Sequence, residues 1–173
     1  MSSPGTTVPT GPAPARLIDP SVVGTATPPH TVLVEAGRLR QFAHAVGERR
    51  SEYVDEEAAR TAGRPGLLVP PTFLFCLEME RPDPWGWLTA IGVDLATVLH
   101  AEQSFVHHRP VWVGERLTFA SRIADVTAKA GGALQFVVRH THVTDERGAQ
   151  VADLSTTLAV VRRDPPAQEG DHR

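Results

Sequence analysis

The sequence predicts an α+β fold in which a long antiparallel sheet wraps around one central helix. Helical patterns occupy the first half of the chain, whereas alternating apolar and polar residues fill the second half. Between these halves lies the run "TFLFCLEM", residues 72–79, which is apolar on nearly every helical face. A helix of this kind needs cover, and the apolar face of a curved sheet supplies it.

Composition indicates one domain and excludes several classes of protein. The chain has 173 residues, 41% hydrophobic and 21% charged, enough for a single sizeable core. A net charge of -3 gives no electrostatic argument for a nucleic-acid partner. The single cysteine, Cys76, excludes an intrachain disulfide. With no secretory signal pattern and no apolar run of about 20 residues, we expect a cytoplasmic protein without membrane contact.

The two ends of the chain differ in composition from its middle. Residues 1–16 are rich in Pro, Gly, Ser and Thr, and residues 164–173 are polar and follow a Pro-containing stretch. Both segments are predicted to be disordered tails. The folded domain is then expected over residues 17–163.

The first helix is predicted by apolar spacing. A short β-prone run, Thr31 to Val34, precedes it, and Gly47 is well placed to end it. The apolar residues that fall at i, i+3, i+4 and i+7 on one helical face are Leu39, Phe42, Ala43 and Val46.

A shorter helix and then the central one are predicted by their end signals. Asp55 suits an N-cap, and Gly63 follows the last helical residues of that short segment. For the central helix, Pro71 is favourable at the first position because no amide hydrogen is needed there. Pro82 and Pro84 end it.

The remaining sequence predicts a meander of four long strands. The alternating segments cover residues 97–110, 115–128, 133–144 and 150–163, and "KAGG" and "DERG" supply glycine for hairpin connections. Strand, helices and then meander is the pattern of the hot-dog fold. Subunits of this fold usually pair edge to edge, which removes an exposed edge strand, so a homodimer or heterodimer is expected.

Five segments resemble one enzyme family in the family's own order: "VEAGRLRQFAHAVGE", "SEYVDEEAARTAG", "GLLVPPTFLF", "HAEQSFVHHRPVWVGERLTFASRIADV" and "VTDERGAQVADLSTTLAVVRR". The chain resembles the MaoC-like (R)-specific hydratases and dehydratases, in the branch called N-terminal MaoC-like or FAS1-like dehydratase domains. Within that branch it is most similar to the non-catalytic A-type subunits of mycobacterial (3R)-hydroxyacyl-ACP dehydratases.

The resemblance bears directly on catalysis. Catalytic members carry "GDxNPxH" after the first helix, and the positions matched to its named residues hold Gly47, Glu48, Arg50, Ser51 and Tyr53. Glutamate in place of the aspartate carries its oxygens on a longer arm, outside the required geometry. Tyrosine is a poor substitute for histidine near pH 7, because its ordinary pKa is about 10. The resemblance implies an emptied site, with Glu48 and Tyr53 as the remaining catalytic candidates.

The resemblance also implies where an acyl thioester would bind. Pro71, Thr72 and Phe73, at the start of the central helix, are expected nearest the acyl chain or a partner subunit. Pro71 lacks an amide hydrogen, which weakens an oxyanion hole there. We expect His100 and His107 to line a pocket or to be structural, and Arg109 to anchor a turn or meet a phosphate of the thioester carrier.

A metal site is not expected. His107 and His108 are adjacent on a strand, so they point to opposite faces and cannot bind one ion together. His140 and His142 share a face, but no third ligand is evident in the sequence. No cofactor is expected either.

Three functions follow as hypotheses. The chain is the non-catalytic half of a (3R)-hydroxyacyl-CoA or hydroxyacyl-ACP dehydratase, which shapes the acyl site and pairs with a catalytic MaoC-like hot-dog subunit. Alternatively, it is a homodimeric hydratase or thioesterase that uses Glu48, Tyr53 or a histidine in a new arrangement. The third alternative is an acyl-thioester-binding module without chemistry. Whether the chain is catalytic by itself stays open at this point.

Overall fold

The fold is built on a five-stranded antiparallel sheet in the order β1-β3-β4-β5-β2. The computed structural model describes residues 17–162, so Arg163 and the predicted tails, 1–16 and 164–173, lie outside the described residues. The strands are β1 His30–Leu33, β2 Val98–His107, β3 Arg116–Lys129, β4 Leu134–Asp145 and β5 Gln150–Val161. The predicted meander is therefore confirmed to within a few residues at each strand end.

Short helices surround the concave face of this sheet. They are α1 Ala36–Ala45, α2 Ser51–Val54, α3 Glu56–Thr61, α4 Phe73–Glu78 and α5 Gly86–Ala90, with 3-10 turns at Pro20–Val22, Leu95–Thr97 and Ala130–Gly132. The predicted α+β hot-dog architecture is confirmed. Over residues 17–162, every helix is too short or too polar to cross a bilayer.

The helix ends follow the local sequence signals. Asp55 caps α3, because its side chain accepts hydrogen bonds from the amides of Glu57 and Ala58. Gly47 adopts a φ of 74° just after α1, a conformation that favours glycine. Val46 does not belong to the buried face as predicted: it caps α1 and is 59% exposed. The helix ends one residue before the apolar spacing does.

The central helix α4 is shorter and less enclosed than the sequence predicted. It begins at Phe73, so Pro71 lies in the preceding turn and not at the first helical position. Phe75 and Cys76 are only half-buried. A single sheet covers one side of the helix, and the flank that carries Phe75 extends past that cover.

The short helix α5 had no counterpart in the sequence prediction. Five residues are too few to show an apolar period, and Pro82 and Pro84 just before it indicated only the end of α4. Trp87 and Leu88 of α5 are buried. They help to form an apolar cluster distinct from the one around α4.

A row of polar side chains crosses the concave face of the sheet between these two apolar clusters. We call this row, together with Glu78 of α4, the polar belt; its members are Ser121, Arg139, Thr141, Thr156, Gln103 and Glu78. The strand register aligns it, since Ser121 pairs with Thr141, and Thr156 pairs with both Arg139 and Gln103. On one side lie Phe119, Val143 and Leu154, and on the other Ile123, Val137 and Leu158.

A buried ion pair joins the central helix to the belt. Arg139 Nη2 lies 2.9 Å from Glu78 Oε1, and both side chains are at most 2% exposed. Thr141 donates its hydroxyl to the same carboxylate, and the guanidinium lies 5.1 Å from the ring centroid of Trp87. The prediction of an apolar central helix therefore overlooked a charged residue on its buried face.

The ion pair generates a test of stability. We expect Glu78→Ala to lower the free energy of unfolding by about 3–5 kcal/mol, because it leaves Arg139 buried without a counter-charge. The double variant Glu78→Met/Arg139→Met should recover most of that loss, since apolar groups of similar volume replace both charges. Urea unfolding measures both changes.

The matched control for this test is Arg116→Met, which breaks the exposed Arg116–Glu146 pair, 3.6 Å apart. It should cost no more than about 1 kcal/mol. A Glu78→Ala variant no less stable than this control would show that the buried pair contributes little to folding.

Candidate functional site

A groove of about 440 Å³ lies at the start of the central helix. It is bounded by α2, by the segment that precedes α4 and by the elbow between β2 and β3. Its lining consists of Tyr53, Leu68, Val69, Pro70, Pro71, Leu74, His107, His108, Arg109, Pro110 and Val111. Of the residues proposed from sequence, Tyr53, Pro71, His107 and Arg109 thus meet in one place.

Backbone hydrogen bonds hold the walls of the groove together. The Leu68 amide donates to the Glu52 carbonyl of α2 at 2.9 Å, and the Val69 amide donates to the Val111 carbonyl at 2.9 Å. Gly66 allows this close approach, since a Cβ at that position would lie 3.1 Å from the Val113 carbonyl oxygen. The segment before α4 therefore ties α2 to the elbow.

Glu48 is held by its neighbours and is not part of the groove lining. Its Oε1 accepts hydrogen bonds from the amides of Arg49 and Arg50, each at 3.0 Å, and its Oε2 accepts one from Arg50 Nη2 at 2.6 Å. The hydrogen bonds from the Arg50 side chain lower the pKa of Glu48 to about 2. A carboxylate this acidic is a weak proton acceptor.

Tyr53 lies at the position that the family resemblance matches to the catalytic histidine. Its ring is 6% exposed, and the Arg50 guanidinium sits 4.7 Å from the ring centroid. Arg50 therefore neutralises Glu48 and covers Tyr53 at once. The turn keeps its shape with an ion pair and a packed ring where the family's motif places a base and an acid.

Arg109 lines the groove with its guanidinium already engaged. Its Nη2 donates to Glu115 Oε2 at 2.7 Å and to Asp145 Oδ2 at 3.1 Å, and its Nη1 donates to the Pro110 carbonyl at 2.9 Å. The hydrogen bond to Glu115 raises the pKa of Arg109. These contacts clamp the elbow to the hairpin between β4 and β5, which is what a turn anchor does.

The start of α4 offers few amide donors to a thioester carbonyl. Pro70 and Pro71 have no amide hydrogen, and the Phe73 amide donates to the Pro70 carbonyl at 3.0 Å. Thr72 is exposed and is absent from the groove lining, as is Phe73, whose buried ring packs against Phe42 at a centroid distance of 5.0 Å. These contacts disfavour an oxyanion hole at this helix start.

The two strand histidines proposed from sequence lie apart. His107 ends β2 at the groove, its ring stacks on Phe105 at 6.0 Å between centroids, and burial lowers its pKa. His100 lies further back along β2 and stacks on Phe75 of α4 at 5.2 Å. Only the first of the two is therefore placed to meet a ligand in the groove.

One charged cluster near the groove was missed by sequence reasoning. His108 Nε2 lies 2.7 Å from Asp153 Oδ2, and His142 Nδ1 contacts the other oxygen of the same carboxylate. The hydrogen bond from His108 is the largest cause of a lowered pKa of Asp153. Strand pairing, which places His142 opposite Asp153, could have indicated this contact. Among residues 17–162, the structure brings no three His, Cys, Asp or Glu side chains into a metal-binding arrangement.

A second opening, which we call the far cavity, lies on the other side of the polar belt. It has a volume of about 340 Å³, and its lining includes Arg81, Trp87, Ile91 and Ile123. Arg81 is occupied there, since its guanidinium donates to the Pro28 carbonyl and to Thr27 Oγ1. The far cavity touches the apolar cluster that contains Trp87, not the cluster that borders the groove.

The Glu48–Arg50 contact generates a titration test. We expect Arg50→Met to raise the pKa of Glu48 from about 2 towards its ordinary value of 4.5, because the hydrogen bonds and the charge of Arg50 are removed. Since the folded pKa is below the unfolded one, Glu48 stabilises the fold above about pH 4.5 and loses this effect as the pH falls towards 2. NMR titration of the Glu48 carboxyl carbon measures the shift. Arg49→Met, which keeps the backbone amide and leaves Arg50 in place, is the matched control and should not move it. An unchanged titration in Arg50→Met would contradict the assigned cause.

Comparisons with known proteins agree with this architecture. A UPF0336 protein of Saccharopolyspora erythraea is 35% identical over 156 residues, which cover 89% of this chain and 97% of that relative. The UPF0336 protein SCO4636 of Streptomyces coelicolor is 36% identical over 143 residues, 82% of this chain and 93% of that relative.

Solved structures of heteromeric complexes are similar as well. A chain of the C-terminally truncated HadBC (3R-hydroxyacyl-ACP dehydratase) complex from Mycobacterium tuberculosis matches 80% of this chain and 96% of its own length, with 27% identity and a TM-score of 0.69. A chain of the ChsH1-ChsH2 complex from the same organism matches 82% of this chain and 87% of its own length, with 25% identity and a TM-score of 0.63. The FAS1-like dehydratase domain region matches residues 21–154. On these grounds, the chain belongs to the FAS1-like dehydratase domain family, within the wider group of MaoC-like hot-dog dehydratases and hydratases.

Proposed function

We propose that the chain is the acyl-thioester-binding, non-catalytic subunit of a (3R)-hydroxyacyl-CoA or hydroxyacyl-ACP dehydratase. It pairs with a catalytic hot-dog subunit, and the pair interconverts a 3-hydroxyacyl thioester with the enoyl thioester and water in the cytoplasm. The observation that carries this proposal is the closed Glu48–Arg50 contact beside a packed Tyr53, at the place of the family's catalytic pair.

The chemistry of water addition supports the non-catalytic assignment. The reaction needs one group that takes a proton from water and one that gives a proton to the acyl chain. With a pKa of about 2 and both oxygens engaged by Arg50, Glu48 does neither near pH 7. The Pro70–Pro71 pair also withholds amide hydrogens from the carbonyl.

The groove supports the assignment of an acyl thioester as ligand. Val69, Leu74 and Val111 give one end of it an apolar lining, which suits an acyl chain. His107 and Arg109, at the elbow, form a more polar side. An elongated ligand with a hydrocarbon tail and a polar carrier fits this distribution.

The edge strand supports the pairing. β2 is the outer strand of the sheet, hydrogen-bonded to β5 on one side, and it runs for ten residues. An unpaired edge of this length favours pairing with another strand. Since β2 ends at His107, which lines the groove, a subunit docked on β2 lies next to the ligand. The similar complexes HadBC and ChsH1-ChsH2 consist of two different chains, which favours a heterodimer over a homodimer.

A homodimeric hydratase or thioesterase is the second candidate. The contact between His108 and Asp153 favours it, because a carboxylate that orients a histidine beside a pocket is a common acid–base arrangement. The side chain of His108, however, pairs with Asp153 on the convex side of the sheet, and the second oxygen of Asp153 is taken by His142. The third candidate, a binding module without chemistry, shares the groove and lacks the catalytic partner.

The three candidates give different results in one assay. We expect the purified chain to leave crotonyl-CoA unhydrated, because no described group in its groove transfers protons near pH 7. Co-purification from the native host should yield a hot-dog subunit that contains "GDxNPxH", and the pair should hydrate crotonyl-CoA. Loss of the absorbance of the enoyl thioester measures turnover.

Two variants make the assay decisive. His108→Gln should leave the activity of the pair unchanged, whereas replacing the aspartate of the partner's motif should abolish it. Turnover by the chain alone that disappears in His108→Gln would replace the proposal with the homodimeric enzyme. Acyl-thioester binding without turnover in any pairing would replace it with the binding module.

A further inference from the structure

The polar belt gives the groove an inner end. We propose that the belt limits the length of acyl chain that this subunit accepts, so that carbons beyond roughly the eighth gain no further contact. This inference rests on the proposed function, because it concerns the same groove and the same thioester ligand. The belt residues then determine specificity and take no part in chemistry.

The position of the belt along the central helix carries the first step. Leu74 lines the groove and Glu78, the helical member of the belt, follows it by one turn, about 6 Å along the axis. From Pro71, at the mouth of the groove, to Glu78 the rise is about 10 Å. That distance corresponds to roughly eight carbons of an extended chain, which advances about 1.25 Å per C–C bond.

The width of the belt carries the second step. It runs from Ser121 of β3 through Arg139 and Thr141 of β4 to Thr156 of β5, and Thr156 donates its hydroxyl to Gln103 of the edge strand at 2.8 Å. Gln103 is half-buried at the outer strand, where a partner subunit would dock. A chain that follows α4 therefore meets a polar group whether it runs beneath the helix or along the β2 side.

The state of the buried charges carries the third step. Within residues 17–162, Glu78 Oε2 and the Nε and Nη1 atoms of Arg139 are buried without a hydrogen-bond partner. A hydrocarbon chain laid across them would displace any polar company and supply none, which is costly in a buried setting. Before the belt, the chain contacts apolar side chains such as Leu74 and Val111, and each buried methylene tightens binding about fourfold.

The far cavity supports the same limit. Its lining includes Trp87 and Ile123, which belong to the second apolar cluster, and the belt stands between that cluster and the groove. The indole of Trp87 is held by the Arg139 guanidinium, 5.1 Å from the ring centroid. An acyl chain would reach this second apolar region only by passing the buried ion pair.

Acyl-chain length therefore serves as the experimental variable. We would titrate the full chain with butyryl-, octanoyl-, dodecanoyl- and palmitoyl-CoA, below their micelle concentrations, by isothermal titration calorimetry. Affinity should rise at least tenfold from butyryl to octanoyl and change less than threefold from octanoyl to palmitoyl. In Glu78→Met/Arg139→Met, which removes both charges, dodecanoyl-CoA should bind at least tenfold more tightly than octanoyl-CoA.

A second variant guards against misfolding of the first. Gln103→Leu/Thr156→Val removes the uncharged half of the belt and should also improve binding of dodecanoyl-CoA relative to octanoyl-CoA. Thr157→Val, on the convex side of the same strand, is the matched control and should keep the limit. Circular dichroism establishes that each variant is folded before titration.

The outcomes separate this inference from the proposed function. Affinity that keeps rising through palmitoyl-CoA in the unmodified chain would overturn the length limit and leave the thioester-binding role intact. A limit that persists in both folded belt variants would show that other residues set it, and would also overturn the inference. Absence of binding at every chain length would contradict the proposed function and the inference together.

Discussion

The contact between α4 and the concave face of the sheet determines the arrangement of the molecule, and the Glu78–Arg139 ion pair fixes its position. A helix of six residues is unstable alone and depends on tertiary packing. Apolar contacts through Phe73, Leu74 and Leu77 attach it to the sheet, but such contacts are not directional. The ion pair is directional, so it sets how far α4 slides along the strands. The place of the groove follows, because its floor is the start of the same helix.

Arg50 shows how a catalytic turn is emptied without losing its shape. The turn after α1 still ends on a glycine with positive φ and still leads into a short helix. Arg50 provides the internal cohesion of the turn, since it pairs with Glu48 and covers the ring of Tyr53. The negative charge of Glu48 is thereby consumed inside the turn and is not directed at a ligand. A surface that once had to present reactive groups can then serve as a wall that packs.

Local patterns in the sequence predicted most of the fold, and non-local contacts account for what it missed. Alternation located the four long strands, and the capping signal at Asp55 located α3, because both depend on residues close in the chain. Glu78 and Arg139 are sixty-one positions apart, so neither helical nor strand spacing reveals their pairing. An arginine at an inward position of a strand, between Val137 and Thr141, was the available hint. The groove was predicted only in part: Tyr53, Pro71, His107 and Arg109 meet there, whereas Thr72, Phe73, His100 and Glu48 do not line it.

A subunit without proton-transfer groups still has a physical role in a dehydratase. Catalysis requires the reacting carbons to be held in a fixed orientation, and much of that orientation comes from contacts with unreactive parts of the substrate. In this chain the groove touches the last residue of the edge strand, so a partner docked on β2 would share the bound thioester. The clamp of Arg109 by Glu115 and Asp145 keeps that shared wall rigid. One subunit can then specialise in holding the acyl chain and judging its length, while the other places the acid and the base. This division removes the need for a single turn to satisfy both demands, and it is consistent with Arg50 and Pro71 standing where reactive or donating groups would otherwise be required.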